Sequence, residues 1–334
     1  FIIINEQILN FNISPTLVKK LLRVQDYMIL EIINDIGMDK PIYFAATVSD
    51  INQIGLQKYL LMEGMTYRLK FQPINNPINY DKMKKNLLKN NSEKVIKTVE
   101  DYNNVINSNQ LGIYRYTNLD DTTIHYSDNI KRLVQNYRIG FIRLAEHELS
   151  SNKNDKIEKA EEYMTLMENY FPEKSLPIEP GISILISDSI YAKTGNIDKQ
   201  TQILEKLFYD NGLPVETKIY LLHKFAEFNN QENIIKMAEL LINDFNEFLD
   251  FELEKYLGDI LSDYIEEEKF ISFCDSILSI YPLKGMLYSQ VRVLEEMNYS
   301  EKALQIVENW LTENPNDQDL IRLYNYLIDV KSFK

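Results

Sequence analysis

Histidines and paired carboxylates are the residues of this chain whose types could support catalysis. His125 lies close in sequence to Tyr114, Tyr116 and Tyr126, where it could act as a general base, although a structural role is the alternative. Adjacent acids on a helix usually form a solvated face, whereas a sugar-cleaving pair must converge across a cleft. The adjacent acids are Asp120-Asp121, Glu161-Glu162 and Glu266-Glu267-Glu268.

Motifs that carry common enzyme chemistry are missing from the sequence. It contains no Gly-rich phosphate loop, no serine nucleophile elbow, no kinase signature and no His-Glu-Xaa-Xaa-His motif. A single cysteine, Cys274, excludes an internal disulfide and a cysteine-cluster metal site. The three histidines are widely separated, which argues against a zinc site. We therefore expect no catalytic residue, no metal and no cofactor in this chain.

The composition favours a folded helical protein with an acidic second part. Hydrophobic residues make up 45% of the chain, and Gly and Pro number only 10 each, which indicates long helices joined by short loops. The net charge is −14, and residues 127–334 carry 22 basic against 37 acidic side chains. That field repels a phosphate backbone, so we expect protein or peptide partners and no nucleic acid.

Residues 1–71 predict a small α/β unit. Ser14-Pro15 could begin a helix that ends at Gly37, and the apolar, β-branched run from Pro41 to Val48 is typical of a buried strand. A short helix over residues 52–64 and a second strand over residues 65–71 would follow.

Residues 72–126 predict a loop-rich connector. Pro73, Pro77 and several Asn-Asn pairs interrupt the hydrophobic pattern. One helix is predicted over residues 79–89 and a second over residues 92–104.

From residue 127 onward the pattern changes to paired amphipathic helices. Tetratricopeptide units are about 34 residues long, with small residues where helices pack closely and a proline after the second helix. Pro315 follows Ala303 at the same spacing as Pro172 follows Ala160. Gly258 precedes Pro282 at the offset expected between the first helix of a unit and its closing proline.

The sequence therefore predicts a mainly α fold, in which a small α/β unit precedes a tetratricopeptide-like helical-hairpin array. We expect about five hairpins, weakest over residues 217–249, and a capping helix over residues 318–330. Trp310 and Cys274 fall on faces predicted to be packed. The predicted divisions are residues 1–71, 72–126 and 127–334.

Two blocks of sequence are more specific than the composition. The first is Lys40-Pro-Ile-Tyr43-Phe44-Ala followed by Tyr59 and Glu63-Gly-Met-Thr-Tyr67-Arg68-Leu. It resembles a block found in a family of multi-pass membrane proteins, common in Bacteroidetes, that includes the vertebrate transmembrane protein O-mannosyltransferase. Arginine usually stands where this chain has Lys40, so a bidentate contact is in doubt there. The second block, Asp128 to Ala145, resembles that family's entry into its helical repeats.

The resemblance gives six residues of the α/β unit as candidates for binding. They would dock on a membrane domain or touch an acceptor; alternatively, the aromatic side chains fill the core and Glu63 pairs with Arg68. The candidates are Lys40, Tyr43, Tyr59, Glu63, Tyr67 and Arg68.

By resemblance, the chain is expected to be the non-catalytic extracytoplasmic tail of a membrane glycosyltransferase-like protein. Its partners would be an acceptor protein and an upstream membrane domain of the same chain, since the opening Phe1-Ile-Ile-Ile lacks an initiator methionine. A free-standing tetratricopeptide adaptor that binds a peptide is the alternative. A third hypothesis is an enzyme whose site joins Glu63, Arg68 and His125.

Overall fold

The chain folds into two compact bodies, Phe1–Asn196 and Ile197–Lys334. The structure is a computed structural model, and it describes residues 2–4, 7–18, 20–37, 39–88, 99–100, 114, 116 and 118–332. The fold is mainly α with a small antiparallel sheet near the amino terminus, which confirms the predicted fold class. The divisions proposed at residues 71 and 126 stay predictions.

The α/β unit combines a two-stranded ribbon, one helix and a three-stranded antiparallel sheet. In the sheet the strand order is β3-β5-β4, so the last strand in sequence lies in the centre. The elements are β1 (Ile2–Ile4), β2 (Gln7–Leu9), α1 (Val24–Ile36), β3 (Tyr43–Ala45), β4 (Leu60–Met62) and β5 (Thr66–Leu69).

The core of the α/β unit lies between one face of the sheet, helix α1 and the loop before β4. Burying these side chains supplies the main driving force for this region, because apolar area is removed from water. The buried residues are Leu9, Ile33, Phe44, Ile54, Leu56, Tyr59, Leu60 and Leu69.

The helix predicted over residues 52–64 is wrong. Two short 3₁₀ turns, Asp50–Gln53 and Gln57–Tyr59, lead into strand β4 instead. Ile54 and Gly55 have φ values of 50° and 96°, which an α-helix does not allow. Both outer strands, β3 and β4, pair with β5, and the structure therefore contains a strand that the pattern did not predict.

Helix α1 begins at Val24 and not at Pro15. The Ser14 amide donates to the carbonyl of Ile54, 3.0 Å away, so Ser14 belongs to the loop packing. The cap is formed by Asp26, whose carboxylate accepts from the Arg23 amide at 2.8 Å and from the Thr16 hydroxyl. An acidic side chain in the first turn also favours the positive end of the helix dipole.

Beyond the α/β unit, the described elements of the first body are helices. Helix α2 packs on α3, and α3 and α4 form the first hairpin. The helices are α2 (Tyr80–Leu87), α3 (Asp128–Leu149), α4 (Lys156–Tyr170) and α5 (Pro180–Ile186), which continues through a π-helical turn (Ser187–Tyr191) into Ala192–Thr194. The prediction over residues 79–89 is confirmed, whereas the helix predicted over residues 92–104 lies outside the described residues except for 99–100.

The second body is a succession of helices in which sequence neighbours pack against each other. Its helices are α6 (Ile197–Phe208), α7 (Val215–Ala226), α8 (Gln231–Phe245), α9 (Phe251–Tyr264), α10 (Glu267–Leu278), α11 (Lys284–Glu296), α12 (Ser300–Glu313) and α13 (Gln318–Ser332). The predicted last helix is confirmed.

Small residues allow close helix packing, as the spacing predicted. A Cβ atom added at Gly258 would lie 2.6 Å from the Ser289 hydroxyl oxygen, because α9 and α11 are in close contact. Ala160 and Ala303 are both fully buried. Cys274 is also fully buried, while Trp310 is only partly buried on the edge of a concavity of about 310 Å³.

Candidate functional site

The three-stranded sheet places its side chains on two different faces. In antiparallel strands, residues directly opposite each other share a face. Phe44 lies opposite Tyr67, and both pack in or against the core. Tyr43 lies opposite Arg68, so these two side chains share the other face, and Tyr43 is 44% exposed. The sheet thus places Phe44 and Tyr67 on the core face and Tyr43 and Arg68 on the opposite face.

A concavity of about 670 Å³ lies beside this outer face, formed by residues 39–42 and 68–74. Lys40, Arg68 and Lys70 line it. Lys40 is exposed, and the other two are partly buried. Within the described residues, none of these three side chains forms a salt bridge or a hydrogen bond. Three positively charged side chains therefore line the concavity without an ion-pair partner in the described part of the chain.

Lys70 is a site residue that the sequence analysis missed. It follows strand β5 in extended chain, two residues after Arg68, while Leu69 between them is buried. Alternation along a strand places residues two apart on the same face. The alternation of charged and apolar residues in Arg68-Leu69-Lys70 could therefore have identified Lys70 as a neighbour of Arg68.

Tyr59 and Tyr67 belong to the interior of the α/β unit. Tyr59 is only 7% exposed, and its hydroxyl donates to the carbonyl of Asn10. Tyr67 packs against the same core, and burial raises its pKa above the usual range. Both side chains are placed to pack and are less available for a ligand than Tyr43.

The predicted pairing of Glu63 with Arg68 is wrong. Glu63 is buried, and its carboxylate accepts from the Lys82 ammonium at 2.7 Å and from the Asn79 amide at 3.3 Å. Lys82 lies on helix α2, and Asn79 is the residue just before it. Glu63 therefore joins the sheet to α2, and Arg68 is left without a carboxylate partner among the described residues.

The three residues of the hypothetical enzyme site are placed in different surroundings. The Glu63 carboxylate accepts hydrogen bonds from Lys82 and Asn79. Arg68 lines the concavity, and His125 is exposed on the loop before α3. Neither Glu63 nor His125 lines the concavity. Among the described residues, no group of three or more His, Cys, Asp or Glu side chains is arranged to hold a metal ion.

A second feature of the α/β unit is an exposed apolar surface. Val24, Tyr27, Met28 and Ile32 recur at helical spacing along α1, on the side away from the buried Ile33. Val18 and Val24 are each 78% exposed. We call the exposed apolar residues of α1 and of the chain just before it the α1 apolar surface; they are Leu17, Val18, Leu21, Leu22, Val24, Tyr27, Met28 and Ile32.

The sequence pattern did not separate this surface from the core. Leu21, Met28 and Ile32 fit the same helical pattern as Ile33, so the pattern alone does not tell which of them is buried. The structure buries Ile33 and leaves the others exposed, because the sheet covers only one side of the helix.

The α/β unit is the part of the chain that a known protein family matches. Residues 3–92 match the family TMEM260-associated domain 2. The matched segment, residues 3–92, contains the three-stranded sheet, the concavity, the α1 apolar surface and helix α2. The resemblance drawn from Lys40 to Leu69 is therefore supported for this segment, whereas the tetratricopeptide identity of the helical hairpins stays a prediction. No curated protein matches the chain significantly.

None of the described helices is both long enough and apolar enough to cross a membrane.

Proposed function

We propose that this chain is the non-catalytic binding tail of a TMEM260-like, protein O-mannosyltransferase-like membrane protein, positioned on the extracytoplasmic side. In this proposal the matched segment, residues 3–92, docks on the membrane domain of the same polypeptide, and the helical hairpins hold an acceptor or another protein. The observation that carries the proposal is the α1 apolar surface, which lies within the matched segment.

Exposed apolar surface of this extent supports docking. Scattered exposed apolar side chains are ordinary, whereas contiguous patches mark contacts with proteins or membranes, and four exposed apolar side chains of α1 recur at helical spacing. Burying a large aliphatic or aromatic side chain completely contributes about 1.5–3 kcal/mol, so several side chains on α1 could hold two domains together. No covering element for this surface occurs among the described residues.

Photo-crosslinking tests the docking. The complete reading frame that encodes this chain is expressed in membranes, with a photoreactive benzoylphenylalanine at Met28 in one sample and at the exposed Lys174 in another. We expect crosslinks from position 28 to membrane-spanning helices of the same polypeptide, and none from position 174. A reading frame that encodes no membrane-spanning helices, or equal crosslinking from both positions, contradicts the proposal.

The adaptor hypothesis has one supporting observation in the second body. Helices α7, α9 and α11, the first helices of successive hairpins, carry polar side chains that contact one another. Arg292 donates to Asp259 at 3.1 Å and to Ser262 at 2.7 Å, and His223 lies 3.1 Å from the hydroxyl of Tyr256. Such a polar row suits recognition of a peptide along stacked repeats.

Peptide display on the purified chain separates the two functions. An adaptor should select basic peptides without any membrane component, because the second body is strongly acidic. Tyr256→Ala should then weaken binding, while Tyr299→Ala, on the turn between α11 and α12, should not. If no peptide is selected, the result contradicts the adaptor function and favours the membrane-tail function.

A further inference from the structure

We propose that the concavity formed by residues 39–42 and 68–74 binds the phosphate group of an organic phosphate. This inference goes beyond the docking function, because it concerns the outer face of the sheet and not the α1 apolar surface. Lys40, Arg68 and Lys70 supply the positive charge.

The charge of the site matches a phosphate monoester. Three cationic residues and one carboxylate, Asp39, line the concavity, which gives a formal charge of +2. A phosphate monoester carries about −1.5 to −2 charges at neutral pH. A single cation on the surface is ordinary. Three cations around one concavity are unusual in a chain whose net charge is −14, and they indicate an anionic ligand.

The geometry of the cations suits an oxyanion. Arg68 and Lys70 extend from the same side of one extended segment, and Lys40 approaches from the chain that precedes β3. A planar guanidinium can donate two parallel hydrogen bonds to phosphate oxygens, and the ammonium groups act as flexible point charges. Cations from two separate segments can therefore surround one phosphate.

Apolar residues along the same concavity point to an organic ligand. Pro41, Phe71, Pro73 and Ile74 line it together with the cations. Ligand sites of about 300–1,000 Å³ accommodate small organic molecules, and the concavity of about 670 Å³ falls in that range. Its apolar lining can contact a ring or a chain attached to the phosphate.

Calorimetric titration of the whole chain with phenyl phosphate and with inorganic phosphate tests the proposal. Phenyl phosphate should bind more tightly, since only it reaches the apolar lining. Arg68→Gln, Lys70→Gln and Lys40→Gln should each weaken binding by about tenfold through loss of a charge-assisted contact. The control Lys174→Gln removes the same charge from an exposed position outside the concavity and should leave binding unchanged.

Vesicles distinguish a lipid headgroup from a free ligand. Phosphatidylcholine vesicles with and without phosphatidic acid are sedimented with the chain and with the Arg68→Gln/Lys70→Gln variant. Binding of phenyl phosphate alone supports a free ligand, and loss of phosphatidic acid binding in the variant supports a headgroup. The proposal is overturned if neither probe binds, or if the double variant and Lys174→Gln bind as the wild type does.

Discussion

Arg138 is the largest fully buried side chain of the described residues, and it connects helix α3 to the turn after α4. Its guanidinium donates to the carbonyls of Phe171 and Pro177 at 3.0 Å each and to the carbonyl of Leu176. A fourth hydrogen bond joins it to the side chain of Gln135 at 3.0 Å. One cation therefore satisfies several buried carbonyls that the turn cannot pair by itself.

Replacing Arg138 should destabilise the first body strongly. Arg138→Met leaves buried carbonyls without donors, and each unsatisfied group costs about 1–3 kcal/mol. Arg138→Lys should rescue only part of the loss, because a single ammonium cannot reproduce the planar fork. Urea unfolding, monitored by amide exchange in α3 and α4, measures the change. Arg143→Met on the exposed side of α3 is the control, and an equal loss in both variants contradicts the role assigned to Arg138.

Glu148 makes the stability of the first body depend on pH. Burial raises the pKa of this carboxyl, but hydrogen bonds from Tyr80 and Lys153 outweigh it and hold the pKa below the usual 4.5. The folded state therefore binds the proton less readily than the unfolded state. The resulting stabilisation is complete above about pH 4.5 and is lost as the pH falls through the folded-state pKa.

Tyr80→Phe should reduce that pH dependence. It removes one donor to the Glu148 carboxylate, and a hydrogen bond to a charged group contributes about 1.5–3 kcal/mol. Measuring the free energy of unfolding from neutral pH into the acid range should show a lower stability at neutral pH and a shallower decline below it. Tyr209→Phe, at an exposed position, should follow the wild-type curve.

At the level of single residues, the sequence predicted part of the candidate site. Lys40, Tyr43 and Arg68 were named as candidates because of the family resemblance, whereas the strand pattern alone would have assigned Tyr43 to the core. The partner of Glu63 could not be predicted, because Lys82 lies on a later element and reaches Glu63 only through the tertiary fold. Local spacing carries no information about such a contact.

The α/β unit leaves several apolar side chains of helix α1 exposed. Ile33 packs fully into the core, whereas Met28 is 57% exposed. If α1 holds its place through the buried side alone, its exposed apolar residues contribute little to folding and are available for docking.

Substitutions on the two sides of α1 should therefore have different effects. Met28→Ser should change the free energy of unfolding by no more than about 0.5 kcal/mol, as is usual for exposed positions. Ile33→Ala should cost about 2–5 kcal/mol, because it empties part of the core. Denaturant titration measures both. If Met28→Ser proved as costly as Ile33→Ala, this side of α1 would be packed within the chain and not free to dock.

The close contact between α9 and α11 requires a residue without a side chain at position 258, which is Gly258. A Cβ atom at Gly258 would lie 2.7 Å from the Cβ of Ser289, so the helices must separate to admit it. Gly258→Ala should destabilise the second body by about 1–3 kcal/mol, the usual cost of overpacking. Gly181→Ala is the matched control, since nothing lies within 4 Å of the added atom. A neutral Gly258→Ala in thermal unfolding contradicts this account.

Helical elements were easier to predict than the sheet. The amphipathic period and the proline spacing after residue 127 identified most helices, including α13, because each helix carries its own pattern. Strand β4 was assigned to a helix, because its pairing with β5 and the left-handed backbone at Ile54 are not visible in residue types. Short strands depend on partners, and partners are set by the tertiary fold.

The two compact bodies differ sharply in charge. Residues 1–196 carry 23 basic and 24 acidic side chains, whereas residues 197–334 carry 13 and 26. Like charges confined to one body repel each other, and dissolved salt screens that repulsion over about 10 Å at moderate ionic strength. Salt should therefore stabilise the second body more than the first.

Trp310 allows this difference to be measured in the intact chain. It is the single tryptophan and lies in the second body, so its fluorescence reports unfolding there. In urea titrations, added sodium chloride should raise the midpoint of the Trp310 transition. Amide exchange in α3 and α4 should respond less. Equal salt effects in the two bodies contradict an origin in charge asymmetry.

The buried Cys274 also determines how the protein can be labelled. Burial raises the pKa of this thiol well above its usual value, so the reactive thiolate is scarce. The chain has one cysteine, and it has no exposed sulfhydryl to compete with an introduced one. A maleimide dye or spin label should therefore attach selectively to a cysteine placed on the α1 apolar surface or beside Arg68, without any prior substitution of Cys274.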